Sequence, residues 1–181
     1  EMPTTGEHYV IETWVNRIYR QFTDRLFAIT NPQTGKVYGY AFSTWALIDT
    51  TSRQPMDLAE LPNGGFSSAL IDKEIPIAGP GRIRLKNTEN AVRTRQAYYT
   101  DLDINGHVNS IRYIEMMLDL FPAKQFEASP VKRLEVAYSA EAYADDLLHF
   151  YQEPSAKGDA TLVEIRKEEG RIPVVKAAIT F

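Results

Sequence analysis

Hydrophobic and polar positions along the chain fall into runs with the period of strands, one run with the period of a helix, and turn-forming stretches between them. Tyr9 to Val15 and roughly Tyr19 to Thr30 are rich in β-branched and aromatic residues, and Asn31-Pro-Gln-Thr-Gly35 supplies turn chemistry before a third run, Lys36 to Ile48. This predicts an antiparallel three-strand meander. In the third run, Tyr38, Tyr40, Phe42, Thr44 and Ala46 alternate with Val37, Gly39, Ala41, Ser43, Trp45 and Leu47. Both faces are apolar or small, so the strand is expected to be buried on both sides.

From Thr50 to Gly81 the composition shifts to Pro, Gly, Ser and charge, punctuated by Leu61-Pro-Asn-Gly-Gly65 and Ala78-Gly-Pro-Gly81. That predicts a linker with a short helix near Met56 to Leu61. Arg82 to Lys86 and Ala91 to Tyr99 read as extended segments. Ile111, Ile114, Met117, Leu118 and Phe121 then recur at three- and four-residue steps, one face of a helix that Asn109 or Ser110 caps and Pro122 stops. Lys132 to Tyr138, Asp146 to Gln152, Ala160 to Glu168 and Ile172 to Phe181 are four further strands.

Gly6 to Ile48 parallels Ala144 to Phe181 in length and pattern, an internal repeat. A strand, a helix and another strand precede the second copy, whereas only a few residues precede the first. The first unit is therefore expected to lack its own helix and leading strands. Trp14, Phe22, Phe27, Tyr40 and Trp45 are then left without cover, which favours incomplete folding or association into a homo-oligomer.

The 181 residues suffice for one large or two small domains, and 44% hydrophobic residues can build their cores. A net charge of −4 gives no general reason to expect nucleic acid, and no apolar run approaches bilayer-spanning length. The absence of cysteine removes disulfides, thiolate nucleophiles and cysteine metal sites together. The histidines, His8, His107 and His149, are scattered singly, which argues against a protein-built zinc site. No metal and no cofactor is called for. No signal peptide is visible, which favours the cytoplasm.

Candidate chemistry concentrates in Tyr99-Thr-Asp-Leu-Asp-Ile-Asn-Gly-His-Val-Asn109, which places acids, amides and a histidine immediately before the helix. Helix N-termini carry unpaired N–H groups and a partial positive charge, so residues 107 to 110 would offer donors to an oxyanion. Acyl chemistry is one reading. A second is calcium, because Asp101-x-Asp103-x-Asn105-Gly106 matches the first half of an EF-hand loop, although Arg112 stands where that loop needs a bidentate glutamate. A third is a plain Asx turn in which Asp103 and Asn105 bond their own backbone.

The run from Tyr99 through Glu115 resembles the D-x-N-x-H-V-N-N signature of the acyl-acyl-carrier-protein thioesterases of bacteria and plant plastids. Gly39 to Pro55 resembles the strand and turn that end that family's first hotdog domain, and Leu134 to Ala142 the strand that brings in its remaining catalytic carboxylate. The resemblance implies an α+β double hotdog, antiparallel sheet wrapped around a long central helix. Residues 1–50 would be the C-terminal part of the first unit, 51–81 a linker and 82–181 the second, catalytic unit.

It further implies hydrolysis of fatty acyl-acyl-carrier-protein to free acid and carrier. Glu141 would be the general base on water, His107 would hydrogen-bond the water or leaving thiolate, Asp103 would orient the His107 ring, and Asn105 would fix the carbonyl or the histidine. Some relatives have a cysteine after this glutamate; here it is Ala142, which leaves the water route standing. Arg82, Arg84, Lys86, Arg93 and Arg95 form a basic cluster, either a solvated strand face or an electrostatic landing site for the acidic carrier protein. The competing readings are an acyl-coenzyme A thioesterase, a non-catalytic acyl-binding hotdog module and a dehydratase. Retention of Asp103, Asn105 and His107 weighs against the module, and a dehydratase would leave Glu141 without a role.

Overall fold

The computed structural model describes residues 2–52, 54–61 and 67–181, which divide into two compact units, Glu1–Pro80 and Gly81–Phe181. The turn residues Pro62 to Gly65 lie outside the described residues.

In the first unit, β1 (Val10–Ile18), β2 (Phe22–Thr30) and β3 (Val37–Ala46) form an antiparallel sheet in the order β1-β2-β3. The Asn31 side chain builds the second hairpin locally, its Oδ1 accepting the Gln33 and Thr34 N–H groups at 2.9 and 3.1 Å. Trp14, Leu26 and Ala28 make the core of this sheet, flanked by Tyr40, Phe42 and Ile75. The expectation that β3 is buried on both sides is not met. It is an edge strand, and Trp45 near its end is 59% exposed.

The stretch 51–81, expected as a linker, is instead tied to this sheet through its described residues. Met56 and Leu58 donate N–H bonds to Leu47 O and Arg20 O, and Ile71 donates to Val15 O, beside a bridge between Val15 and Leu70. The Trp14 indole donates to Lys73 O at 2.8 Å with the Lys73 ammonium over its ring. A chain segment thus covers Trp14 where a helix was expected to be wanting, while Phe22 and Trp45 stay exposed. The short helix near Met56 is a single 3-10 turn, Leu58–Glu60, with Asp57 as its cap.

In the second unit, β4 (Arg93–Gln96), β5 (Arg133–Tyr138), β6 (Leu147–Pro154), β7 (Thr161–Lys167) and β8 (Ile172–Thr180) form an antiparallel sheet in the order β4-β6-β7-β8-β5. One face, carrying Leu148, Phe150, Val163, Ile165, Ala177 and Ile179, closes on helix α1 (Ser110–Leu118). The helix is shorter than the long central one expected. It ends at Asp119, and Pro122, which lacks an N–H and disfavours helix in the residue before it, starts a second, α2 (Ala123–Ala128). The buried stripe of α1 is also rotated from the predicted one. Tyr113, Met116 and Met117 are buried whereas Ile111 is exposed, since Tyr113 offers the larger apolar area to the core. Among the described residues no helix is long and apolar enough to cross a membrane.

Candidate active site

Between the 3-10 turn Tyr99–Asp101 and α1 the chain makes a closed loop. Leu102 and Val108 bridge its base, Asp103 N–H donates to His107 O at 2.8 Å, and Gly106 N–H donates to Asp103 O at 3.1 Å. Gly106 sits at φ +78°, a left-handed conformation that side chains with a Cβ rarely adopt. Asn109 caps α1 through Ile111 N–H at 2.9 Å.

The resemblance implied that Asp103 orients the His107 ring; the hydrogen bonds its carboxylate accepts are from the loop backbone. Its Oδ1 accepts the backbone N–H groups of Asn105 at 2.8 Å and His107 at 3.3 Å, an Asx turn that shapes the loop carrying the histidine. The Asn105 N–H, opposed by desolvation and reinforced by the His107 N–H, holds the Asp103 carboxyl below the usual carboxylate range. Asn105 lies exposed at the loop tip next to the fully solvent-facing Ile104.

Asp101, first position of the calcium-type spacing, is 3% exposed and turned away from the loop. Burial pushes its proton affinity up, but Arg95 and the Tyr98 N–H more than offset this and hold it below the ordinary aspartate range. The N–H groups of His107, Val108 and Asn109 are all directed at protein acceptors: Asp103 Oδ1, Ala142 O and Asp101 O. The expected donor set at the helix start is therefore largely occupied at those positions.

Glu141 lies beyond β5, not on a strand. Ser139 and Ala140 N–H groups both donate to Val174 O, and the Ala142 carbonyl accepts Val108 N–H at 2.8 Å. The Glu141 segment is thus joined to the sheet on one side and to the His107 loop on the other. That stitching brings His107 Nε2 to 3.4 Å from Glu141 Oε2, with the two side chains 27% and 39% exposed. A histidine and a carboxylate in reach of each other and of solvent can activate a water and return a proton.

The basic cluster divides. Arg95 forks onto Asp101 with both contacts at 3.0 Å, and Arg93 donates to Asp119 O at 3.3 Å, so both guanidinium groups bond within the second unit. In register, both sit opposite residues of the helix-facing side of β6, Phe150 and Leu148. Arg82, Arg84 and Lys86 are exposed and line a groove of about 380 Å³ with Pro154, Ala156 and Leu162. They lie outside the strands of the sheet, so the strand-face reading does not apply to them.

Sequence reasoning missed Tyr143, whose hydroxyl donates to Glu141 Oε2 at 3.1 Å. Its signal was the two-residue step from Glu141, because alternate residues of extended chain share a face.

Residues 85–181 match the acyl-ACP thioesterase C-terminal domain, and residues 1–61 match the acyl-ACP thioesterase N-terminal domain. The chain belongs to the acyl-ACP thioesterase family. An acyl-ACP thioesterase from Bacteroides thetaiotaomicron is 40% identical and superposes with a TM-score of 0.86, over 96% of this chain and 68% of that one. A 12:0-ACP thioesterase from Umbellularia californica, 21% identical with a TM-score of 0.81 over 98% of this chain and 69% of that one, shares the fold. The fold is thus the α+β hotdog of this family, in two units.

Among curated acyl-ACP thioesterases, the chloroplastic palmitoyl-acyl carrier protein thioesterase of Gossypium hirsutum is 24% identical over 81% of this chain. A chloroplastic acyl-[acyl-carrier-protein] hydrolase of Cuphea viscosissima is 24% identical over 93% of it. The chain spans 36% and 42% of the lengths of those two relatives.

Proposed function

We propose that the protein hydrolyses the thioester of fatty acyl-acyl-carrier-protein, releasing free fatty acid and the carrier thiol. The observation that supports this reading is the 3.4 Å approach of His107 Nε2 to Glu141 Oε2, two residues brought together from separate segments in a chain of this family.

In the proposed step Glu141 takes a proton from water as the water oxygen attacks the thioester carbonyl. The tetrahedral oxyanion collapses, the C–S bond breaks, and the proton passes to the departing sulfur with His107 as hydrogen-bond partner. Asn105, exposed on the same loop, would donate to the carbonyl oxygen, and Asp103 would keep the loop in shape. No covalent thiolate intermediate is available, since the sequence has no cysteine.

For the carrier protein we assign docking to Arg82, Arg84 and Lys86 and withdraw Arg93 and Arg95, whose guanidinium groups bond within the unit. Exposed cations raise encounter rates with an acidic partner. The test is steady-state kinetics with one acyl chain presented on acyl carrier protein and on coenzyme A. Faster turnover of the carrier-protein substrate, with loss in His107→Ala and Glu141→Gln, is the expected result. Preference for coenzyme A would reassign the carrier, and turnover of neither would sink the hydrolase reading.

A further inference from the structure

Tyr143 touches both members of the His107–Glu141 pair. Its hydroxyl donates to Glu141 Oε2 at 3.1 Å, the same oxygen that faces His107 Nε2. Its ring meets the imidazole edge to face, centroids 5.2 Å apart at 88°. Such T-shaped contacts have a preferred geometry because the positive edge of one ring faces the negative face of the other. One side chain thus fixes the carboxylate by a hydrogen bond and the imidazole by a ring contact.

Tyr143 is in turn held from behind. Its N–H donates to Asp146 Oδ2 at 3.0 Å, and Asp146 N–H donates back to Tyr143 O at 3.3 Å. The ammonium of Lys167, at the end of β7, lies 5.4 Å from the Tyr143 ring centroid and 3.7 Å from Asp146 Oδ2. Cation–π and ion-pair contacts at a partly exposed site are individually weak, yet here they converge on one residue. The Tyr143 side chain is itself almost half exposed, so it is poorly placed to serve the core.

We infer that Tyr143 is a positioning residue for the hydrolytic site, setting the relative orientation of Glu141 and His107 through its hydroxyl and its ring separately. This rests on the proposed hydrolase reading. Without the hydroxyl, Glu141 loses a donor that restricts its rotamers, and the population with its carboxylate aligned on His107 falls. Without the ring, the imidazole loses its lateral support as well.

Two variants of the intact protein separate the contributions. Tyr143→Phe keeps the ring and removes the hydroxyl; Tyr143→Leu removes both. The expected result for Tyr143→Phe is a kcat lower by about tenfold, the scale of one hydrogen bond to a charged group, with KM and Tm near those of the unmodified protein. Tyr143→Leu should lower kcat further. In NMR spectra, the His107 ring-proton resonances should keep their ring-current shift in Tyr143→Phe and lose it in Tyr143→Leu, which reads the ring contact separately from turnover, while the fall in kcat at unchanged KM and Tm is what a purely structural role would not produce. An unchanged kcat in Tyr143→Phe, alongside loss in Glu141→Gln, overturns the positioning role while leaving the hydrolase reading intact. Absence of turnover in the unmodified protein overturns the hydrolase reading instead, and identical His107 shifts in both variants would then dispose of the ring contact on their own.

Discussion

Arg95 and Asp101 meet in a fork, Nη2 to Oδ1 and Nη1 to Oδ2 both at 3.0 Å, and the Asp101 carbonyl accepts the N–H of Asn109 at the start of α1. Asp101 is nearly inaccessible while a third of the Arg95 side chain reaches solvent. Removing the arginine leaves a buried carboxylate with the Tyr98 N–H and the charge of Arg112, so Arg95→Ala should cost about 2 to 3 kcal/mol in urea unfolding, toward or below the low end for a fully buried pair because of that exposure. Arg82→Ala, whose side chain is exposed, should stay within about 0.5 kcal/mol of the unmodified protein. Equal effects from the two would show that the fork does not hold the second unit together.

The same pair sets a pH dependence. The folded Asp101 titrates below an unfolded aspartate, which titrates near about 3.9. A depressed folded value means the contribution is fully present above the unfolded one and is lost as pH falls through it toward the folded one. The stability gap between the unmodified protein and Asp101→Asn should therefore be flat above about pH 5 and shrink below about pH 4. A gap that widened on acidification would refute the assigned direction.

At the site, His107→Ala and Glu141→Gln should each lower kcat by about a hundredfold or more, the usual scale for a lost acid or base group, with no change in fold by circular dichroism. Asp103→Ala acts through the loop backbone, so its loss of activity should be accompanied by faster amide exchange at Asn105 and His107, the two N–H groups its carboxylate accepts. Wild-type turnover in Glu141→Gln would end its role as base.

Charge reversal separates the two halves of the basic cluster. The Arg82→Glu, Arg84→Glu double variant should raise KM for a carrier-protein substrate and flatten its salt dependence, while a short thioester mimic is turned over as before. Arg93→Glu should chiefly affect stability, since that guanidinium reaches Asp119 O. A KM effect of Arg93→Glu alone would restore the undivided cluster.

Met117, fully buried between α1 and the sheet, belongs to the core of the second unit. Met117→Ala should destabilise the second unit by about 2 to 5 kcal/mol, the range for large-to-small core changes, as measured by thermal or denaturant unfolding. A loss under about 1 kcal/mol would mean that the helix does not pack there as described.

What the sequence by itself determined is what depends on neighbours along the chain. Alternation and turn chemistry placed the strands of both sheets within a few residues, as with Lys132 to Tyr138 against β5 at Arg133–Tyr138, because a pleat repeats every two residues whatever lies across from it. Asn109 as cap and Pro122 as breaker were equally legible, both being backbone chemistry within one turn. Tertiary structure decided which partner each polar or apolar group found. Arg95 and Arg82 are indistinguishable as sequence, yet one is locked onto Asp101 and the other faces water. Asp103 could serve a ring or a backbone, and the closed loop put two N–H groups within its reach first. Tyr38 to Ala46 alternates as a doubly covered strand would, but pairing leaves it at the edge of the sheet. His107 and Glu141 meet where Val108 N–H bonds to Ala142 O and Ser139 and Ala140 bond to Val174 O, contacts between distant segments that no local pattern encodes.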